Sequence, residues 1–521
     1  MGVVVVVVAL VASSCTKKGS GSGGDDGAPA AAFRAAIVRP ATLDPAKART
    51  VDELLVADQL FDSLAAYDPK TLEPVPSLAE SWTASADQRQ WDFTLRAGAT
   101  FSDGSAVTAA DVKASLERIA RKDSGSSVSD LLELVTGYKA LAADGSATEL
   151  AGVVATSATV LRIDLDAPWS ALPSALANPA FGVLPKAVID AGGAFPASPV
   201  TSGPFVVSAT SDEVLTLTPT KGVKTKSKRL EFRLFADKAA AYDAMLAGDV
   251  DWSEVPPDKI AEATEKFGKS RFKPYLAELF YAFNLRSAKF ADVRVREAIV
   301  RAVDRAAILR DVYDGSVRPM SGLIVEGLAG TQADPCAGKC GFDVARSKAL
   351  VAELTAEGVT LPELQIDFED DETQTAVATA IQKDLAAVGI TATLRPKPLA
   401  EYQQFAVSGS QELFRLGWIA PYPSADALLV PLFASGSPNN LTGFSSSSVD
   451  EALRVARSSA DPAAQVAQYQ AAEKEILAAL PIIPIGQFEI QSVASKQVRD
   501  LMVTSAGSFD GRLVWVASAS S

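Results

Sequence analysis

The alternation of apolar and polar positions predicts a strand-helix-strand unit near the middle of the chain. Apolar residues alternate with polar ones over residues 230–234, as in a half-buried strand. Residues 238–247 are typical of a helix, and Gly248 is a typical residue for its end. The alternation resumes over residues 250–252, which predicts the second strand.

A second unit with the same pattern follows more than a hundred residues later. Residues 364–368 alternate, apolar residues recur at helical spacing over 377–388, Gly389 ends that helix, and residues 390–394 alternate again. Two separate units of this kind predict two α/β lobes.

Three further elements are predicted outside these units. A long helix is expected from about residue 293 to 313, with one apolar face and many charges opposite. Residues 91–95 alternate as in a strand. Thr108 and Asp111 form a variant of the capping box, which predicts that a helix begins there.

The amino terminus indicates export. Residues 2–12 are an almost pure Val/Ala/Leu run, too short to span a membrane but typical of the apolar part of a signal peptide. The run leads into Ala-Ser-Ser before Cys15, which resembles a bacterial lipobox. We therefore predict a lipoprotein signal peptide over residues 1–15, lipidation of Cys15, and a Gly/Ser-rich flexible tether over 16–32. An ordinary secretory signal with an incidental cysteine is the alternative.

Composition then narrows the function. Lys and Arg number 49 against 63 Asp and Glu in 521 residues, and the net charge of −14 disfavours a nucleic-acid partner. The chain has no histidine, which excludes Ser-His-Asp and Cys-His catalysis and imidazole metal sites. In an exported chain, the two remaining cysteines, Cys336 and Cys340, are expected to form a disulfide, since no other cysteine pair or histidine could complete a zinc site.

Short motifs along the chain together resemble the extracellular solute-binding proteins of peptide-type ABC importers, family 5. The resemblance covers about residues 35–515, and its motifs occur in the family's order and spacing. The motifs are LFDSLAAYDP (60–69), PSLAESW (76–82), FTLRAG (93–98), FSDG (101–104), TAADV (108–112), TSGPF (201–205), GDVDW (248–252), FNL (283–285), VRVREAI (293–299), DR (304–305), QKDL (382–385), GI (389–390), GW (417–418) and ALP (479–481).

The resemblance implies a two-lobed clamshell of the periplasmic-binding-protein type, class C, with mixed sheets and a hinge between the lobes. Residues 33–272 and the returning segment 488–521 would form lobe I, and residues 273–487 lobe II. It also implies a monomeric, lipid-anchored protein on the outer face of the cytoplasmic membrane. There it would capture a peptide or another small polar solute and deliver it to the transmembrane subunits of an ABC permease, without catalysis, cofactor or metal.

In similar peptide binders, the segment that here covers residues 415–426 (RLGWIAPYPSAD) lines the pocket. Relatives place an aspartate three residues after the tryptophan, where it pairs with the peptide's α-amino group. Here that position is Pro421, which has no charge, so ligands are expected not to need a free α-amino group. Asp426 could replace the missing carboxylate, or it could simply begin a helix.

Other candidate ligand contacts also come from the resemblance. Arg415 would meet a ligand carboxylate or form a salt bridge within its lobe. Trp418, next to Gly417, would form a pocket wall or belong to the core. Ile419 and Tyr422 continue the lining segment. Tyr402 would lie over the ligand, and the backbone around Leu43 would bond to an extended ligand.

Two other functions stay open at this point. The same clamshell could serve as a surface receptor for a signalling peptide, or it could bind a non-peptide solute such as an oligosaccharide. A secreted hydrolase is disfavoured because no Ser-x-x-Lys motif stands in a matching helix context.

Overall fold

A computed structural model describes residues 30–269, 271–359, 361 and 363–518 of the chain. The predicted signal peptide, Cys15 and nearly all of the predicted tether lie outside the described residues.

The strands are as follows, in chain order: β1 (Phe33–Val38), β2 (Ala65–Tyr67), β3 (Pro74–Pro76), β4 (Ala79–Ala84), β5 (Gln90–Leu95), β6 (Val153–Ala155), β7 (Val160–Asp164), β8 (Phe205–Thr210), β9 (Val214–Pro219), β10 (Leu230–Phe235), β11 (Trp252–Glu254), β12 (Lys273–Phe283), β13 (Val317–Pro319), β14 (Leu364–Glu369), β15 (Ala392–Lys397), β16 (Leu413–Ile419), β17 (Ile482–Ile490), β18 (Ser492–Ala494), β19 (Val498–Arg499) and β20 (Trp515–Val516).

The α-helices are as follows: α1 (Val51–Leu60), α2 (Ala109–Ala120), α3 (Leu172–Ala175), α4 (Lys186–Ala191), α5 (Lys238–Ala247), α6 (Ile260–Phe267), α7 (Val293–Ala302), α8 (Arg305–Asp311), α9 (Val344–Ala356), α10 (Glu372–Ala387), α11 (Leu399–Ala406), α12 (Asp426–Phe433), α13 (Ser447–Ser458) and α14 (Pro462–Ala478).

The first lobe is built on a six-stranded sheet in the order β18-β11-β1-β10-β9-β8. Its centre is parallel, because β1 runs in the same direction as both β10 and β11. The predicted strand-helix-strand unit is confirmed as β10-α5-β11. The side chain of Asp237 caps the start of α5, and Gly248 ends it with φ of +83°, a conformation that costs glycine little.

The second lobe is built on a six-stranded sheet in the order β13-β17-β12-β16-β14-β15. The second predicted unit is confirmed as β14-α10-β15, with its two strands paired in parallel. The Asp371 side chain accepts a hydrogen bond from the Gln374 N–H and so caps the start of α10. We call residues 30–272 with 492–518 the first lobe and residues 273–490 the second lobe, as far as the structure describes them.

A smaller four-stranded antiparallel sheet, β4-β5-β7-β6, is formed by the part of the chain that follows β1 and precedes β8. The predicted alternation over residues 91–95 is confirmed, since Trp91, Phe93 and Leu95 of β5 are all buried. One continuous apolar cluster joins residues of this sheet, such as Leu161, to residues of the second lobe, such as Phe280. The lobes therefore share packed contacts in addition to the chain crossings.

The long helix expected over residues 293–313 is wrong as a single element. α7 ends at Ala302, Val303 is extended, and Asp304 begins α8 by accepting a hydrogen bond from the Ala307 N–H. A capping aspartate starts a new helix more readily than it continues an old one, and the amphipathic spacing alone did not reveal the break.

Two local predictions hold. Thr108 and Asp111 form the capping box that begins α2. Cys336 and Cys340 form a disulfide.

The chain crosses between the lobes twice. The first crossing lies between α6 and β12, and the second is Gln491, between β17 and β18. The backbone carbonyl of Gln491 accepts from Val255 of the first lobe, while its side-chain amide donates to Gly315 of the second. Few residues therefore connect the two sheets, as a hinge requires.

Candidate functional site

A cleft between the two lobes consists of three adjoining chambers that meet at Ile419. The first, which we call the Arg415 chamber, has a volume of about 760 Å³. The second, the Asp62 chamber, has about 400 Å³, and the third, the Trp169 chamber, about 480 Å³. Ile419 lines all three and is 58% exposed. Both lobes contribute walls to each of them, which is the arrangement of a binding cleft between lobes.

Strand β16 contributes to the second-lobe wall of all three chambers, and it pairs with β12 on one side and β14 on the other. Because side chains alternate along a strand, Arg415, Gly417 and Ile419 share one face. A Cβ atom at Gly417 would lie 2.9 Å from the carbonyl oxygen of Glu278, closer than real Cβ contacts. Gly417 thus keeps β12 and β16 in close contact at the chamber wall.

Arg415 forms the salt bridge within its lobe that the sequence left open, and it also lies on the cleft wall, where contact with a ligand carboxylate stays a prediction. Its Nη1 lies 3.1 Å from Glu369 Oε1 within the same lobe. The residue also lines the Arg415 chamber, about a quarter of its side chain is exposed, and its Nε is buried without a partner among the described residues. The guanidinium therefore has donor capacity beyond its internal ion pair.

Trp418 packs against the core and also borders the cleft. Its indole N–H donates to the carbonyl of Ala427 at 2.8 Å, and its ring packs, partly buried, against the core of the second lobe. Trp418 nevertheless lines the Arg415 and Trp169 chambers. A side chain held in this way gives a rigid wall.

Asp426 is a fully buried helix-start residue whose carboxylate is saturated. It is the first residue of α12. Oδ1 accepts from Arg457 Nε at 2.9 Å and from the Tyr469 hydroxyl at 3.0 Å, while Oδ2 accepts from the Tyr422 hydroxyl at 2.7 Å and the Trp169 indole at 2.9 Å. Burial raises the pKa of this carboxyl, but the charge of Arg457 and these hydrogen bonds outweigh burial and hold the pKa below its ordinary value.

Pro421 and Tyr422 line both the Trp169 and Asp62 chambers. The carbonyl of Pro421 accepts a hydrogen bond from the Asn178 side chain at 2.8 Å, so the segment is tied to the first lobe. Tyr422 is 5% exposed, and its hydroxyl is occupied by Asp426. Position 421 thus faces the cleft without a charge.

Two predicted ligand contacts lie away from these chambers. Tyr402 is buried in α11, and its hydroxyl donates to the backbone carbonyl of Arg415, which gives it a packing role beneath β16. Leu43 is partly buried against the core of the first lobe. Neither residue lines the Arg415, Asp62 or Trp169 chamber in this structure.

The first lobe contributes carboxylates that sequence reasoning missed. Glu254, at the end of β11, lines the Arg415 chamber beside Lys238. Asp58 and Asp62 line the Asp62 chamber, and burial raises the pKa of each to about 6. Asp62 lies inside the LFDSL motif, and Glu254 lies two residues after GDVDW. The motifs could be recognised in the sequence, but the sequence did not indicate that these side chains line the cleft.

Tyr313 is another lining residue that the sequence did not single out. It lies in the Arg415 chamber just after α8, in the stretch expected to be helical. It is 8% exposed, and burial raises the pKa of its hydroxyl to about 12. The hydroxyl is therefore a neutral donor and acceptor near Arg415.

Two properties of the described residues bear on other functions. No helix in them is both long and apolar enough to cross a membrane. Nor do they contain a group of three or more His, Cys, Asp or Glu side chains placed to hold a metal ion.

Comparison with known proteins gives consistent similarities. The profile of the family "Bacterial extracellular solute-binding proteins, family 5 Middle" matches residues 73–440. The "Periplasmic murein peptide-binding protein MppA" of Escherichia coli strain K12 is 29% identical over 471 residues, which cover 86% of each chain. The "Probable deoxycholate-binding periplasmic protein YgiS" of the same strain is 27% identical over 461 residues, again 86% of each. The solved unliganded open form of MppA superposes with a TM-score of 0.83 at 26% identity, covering 94% of this chain and 99% of that one.

Proposed function

The chain belongs to the bacterial extracellular solute-binding proteins of family 5, and from this premise we propose that it is the substrate-binding component of an ABC importer that captures a peptide-like solute between its lobes. The observation that carries the proposal is the three-chambered cleft at Ile419, whose walls come from both lobes of a chain with this family's fold. The closed complex would then be handed to the permease. No step requires catalysis.

The mechanism follows from the position of the contacts. A solute that touches both Arg415 of the second lobe and Glu254 of the first binds the closed arrangement better than the open one, so it shifts the population toward closure. Gln491 and the residues between α6 and β12 would absorb the motion. The contact between Trp169 and Asp426 joins the lobes beside the cleft and would restrict the direction of closing.

A peptide-like ligand is supported by the similarity to MppA, which is described as a murein peptide-binding protein. The cleft suits such a ligand because charged groups, Arg415 and Glu254 among them, flank the apolar side chain of Ile419. A non-peptide organic acid is the second candidate, and the observation that favours it is the description of YgiS as a deoxycholate-binding protein.

We also propose that the protein is a monomer held at the outer face of the cytoplasmic membrane by lipidation of Cys15. The support is the lipobox-like sequence and the Gly/Ser-rich stretch that follows. Metabolic labelling with a palmitate analogue should mark the wild-type protein and not Cys15→Ser, and globomycin should leave the apolar prefix attached. An unlabelled wild type would contradict lipidation without affecting the binding function.

The binding proposal is tested by native mass spectrometry of the protein purified without denaturation, followed by return of the identified solute to stripped protein. Small-angle scattering should show a smaller radius of gyration with the solute. The unfolding free energy should rise by about 2.7 kcal/mol at a hundred times the dissociation constant. Tight binding with an unchanged radius would contradict a closing cleft.

A further inference from the structure

The carboxyl edge of the first-lobe sheet carries an acidic side chain at the cleft. β11 runs parallel to β1, with Ala35 opposite Trp252 and Ala36 opposite Ser253. In open α/β sheets, ligands bind beyond the carboxyl ends of parallel strands. Glu254 is the last residue of β11 and lines the Arg415 chamber. It is therefore at the position from which a first-lobe side chain meets a ligand.

The carboxylate of Glu254 is only half used. Its Oε2 pairs with the ammonium of Lys238, whereas its Oε1 is buried and has no hydrogen-bond partner among the described residues. The residue as a whole is 7% exposed. A buried carboxylate oxygen without a donor is unfavourable, and a donor supplied by a ligand would relieve that cost.

Around Glu254, two carboxyls share the single positive charge of Lys238. Asp52 is buried nearby, and burial together with the charge of Glu254 raises the pKa of Asp52 to about 7. Lys238 is the cation that interacts with both carboxyls. Burial of its ammonium lowers the pKa of Lys238, but the charge and the hydrogen bond of Glu254 outweigh burial and raise it. Lys238 is half exposed and lines the same chamber, so a second cation can join it or displace it at Glu254.

The other carboxylates of the cleft are less open to a ligand. Asp426 is saturated by its four partner side chains. Asp58 accepts from the Ser508 hydroxyl, and Asp62 lies 3.8 Å from Arg96. Glu278 lines the same chamber as Glu254 and has two buried oxygens without described partners, but burial raises the pKa of this carboxyl well above its ordinary value, so it is a neutral acid and not a carboxylate. Glu254, which is ion-paired with Lys238 through its other oxygen, therefore remains as the carboxylate that combines an unpartnered buried oxygen with a place on the largest chamber.

We propose that Glu254 accepts a charge-assisted hydrogen bond from a cationic nitrogen of the bound solute, and so supplies from the first lobe the carboxylate that the second lobe lacks at Pro421. This inference rests on the proposed function. It changes the expectation drawn from Pro421: a positively charged nitrogen, either the α-amino group or a lysine side chain, does contribute to affinity.

The test uses three synthetic tripeptide pools and the full mature protein stripped of solute. The first pool has free amino termini and no Lys or Arg, the second is its N-acetylated counterpart, and the third is N-acetylated with one lysine. Peptides retained in ultrafiltration are quantified by mass spectrometry. Wild type should retain the N-acetylated peptides without lysine about tenfold to a hundredfold less than whichever cationic pool it retains better. That is the usual effect of losing a charge-assisted hydrogen bond. The better pool identifies the source of the cation.

Glu254→Gln should abolish that preference. Asp258→Asn is the matched control, because Asp258 lines the same chamber but its side chain is 74% exposed, and it should keep the preference. Equal retention of acetylated and cationic pools by wild type would overturn the inference and leave the importer function intact, even if Glu254→Gln fails to fold. An unchanged preference in folded Glu254→Gln would also overturn it. Retention of no peptide from any pool would overturn the peptide function and this inference together.

Discussion

Asp426 and Glu254 are buried carboxylates on opposite sides of the cleft, and they differ in how many donors each has. Asp426 accepts from Arg457, Tyr469, Tyr422 and Trp169, whereas Glu254 has Lys238 on one oxygen and no described partner on the other. A saturated carboxylate holds a structure together, and removing it leaves its donors unpaired. A half-used one at a cavity wall has capacity for a ligand. The number of free acceptor sites therefore separates a structural acid from a binding acid better than its proximity to the pocket.

The largest expected effect comes from breaking the saturated site. Asp426→Asn removes the charge that Arg457 needs, and breaking a buried ion pair by neutralising one partner typically costs about 3–5 kcal/mol. We expect a loss of that order in the free energy of urea unfolding. Asp258→Asn, at an exposed carboxylate, should change stability by less than about 0.5 kcal/mol. A loss below about 1 kcal/mol in Asp426→Asn would remove the contrast with Glu254.

Arg415 is an intermediate case, since its Nη1 is paired with Glu369 while its Nε has no described partner. If the guanidinium also binds a ligand carboxylate, Arg415→Ala should weaken the best-retained tripeptide by about tenfold to a hundredfold and spare its C-terminal amide. Glu369→Gln keeps the arginine and releases it from its internal partner, so it should strengthen the carboxylate peptide. Calorimetry with both peptides checks this. Equal weakening of acid and amide would make Arg415 structural.

Glu278 extends the comparison to a carboxyl without any described partner. Both of its oxygens are buried and unbonded, and burial, followed by the nearby charge of Glu473, raises its pKa well above the ordinary value. The unfolded chain loses this proton near pH 4.5 while the folded protein keeps it, so stability falls as pH rises above that value. Glu278→Gln has no such proton. Between pH 5 and 7 the wild type should lose stability relative to the variant in urea unfolding, by at most about 1.4 kcal/mol per pH unit for this one proton. Parallel pH profiles would show that Glu278 is already ionised.

The sequence predicted the parts of the fold that depend on local order. Alternation and helical spacing over residues 364–394 were enough for β14-α10-β15, because each element shows its buried face in its own residues. The break between α7 and α8 was missed because the apolar helical spacing continues on both sides of Asp304. The spacing predicts one continuous helix, whereas the Asp304 side chain caps the start of a new one.

The site depends on residues far apart in the chain, and local patterns do not encode those distances. Asp426 becomes saturated through Trp169, Arg457 and Tyr469, which come from three separate segments. Glu254 is recognisable as a cleft residue only once β11 is known to end at the cavity edge. The family resemblance directed attention to residues 415–426, because relatives place pocket contacts in that segment. On the opposite lobe it pointed only to the backbone around Leu43, which does not line the three chambers.

The smallest expected effect concerns the proton on Asp52, whose neighbours include Glu254, Lys238 and Glu53. With a pKa of about 7, this carboxyl is about half protonated at pH 7. A cation bound at Glu254 favours the ionised form and lowers that pKa, so binding should release up to about half a proton at pH 7, and affinity should rise between about pH 6 and 8. Calorimetry of the best-retained cationic tripeptide in phosphate and in Tris at pH 7 measures the release: the number of protons is the difference between the two apparent enthalpies divided by the difference between the ionisation enthalpies of the two buffers. Asp52→Asn should remove it while leaving Glu254 in place, and Glu254→Gln should reduce it, because the pKa of Asp52 falls once its acidic neighbour is neutral. Proton uptake, or a release that Asp52→Asn leaves unchanged, would mean that the cation binds elsewhere and that the half-used carboxylate of the first lobe is not its partner.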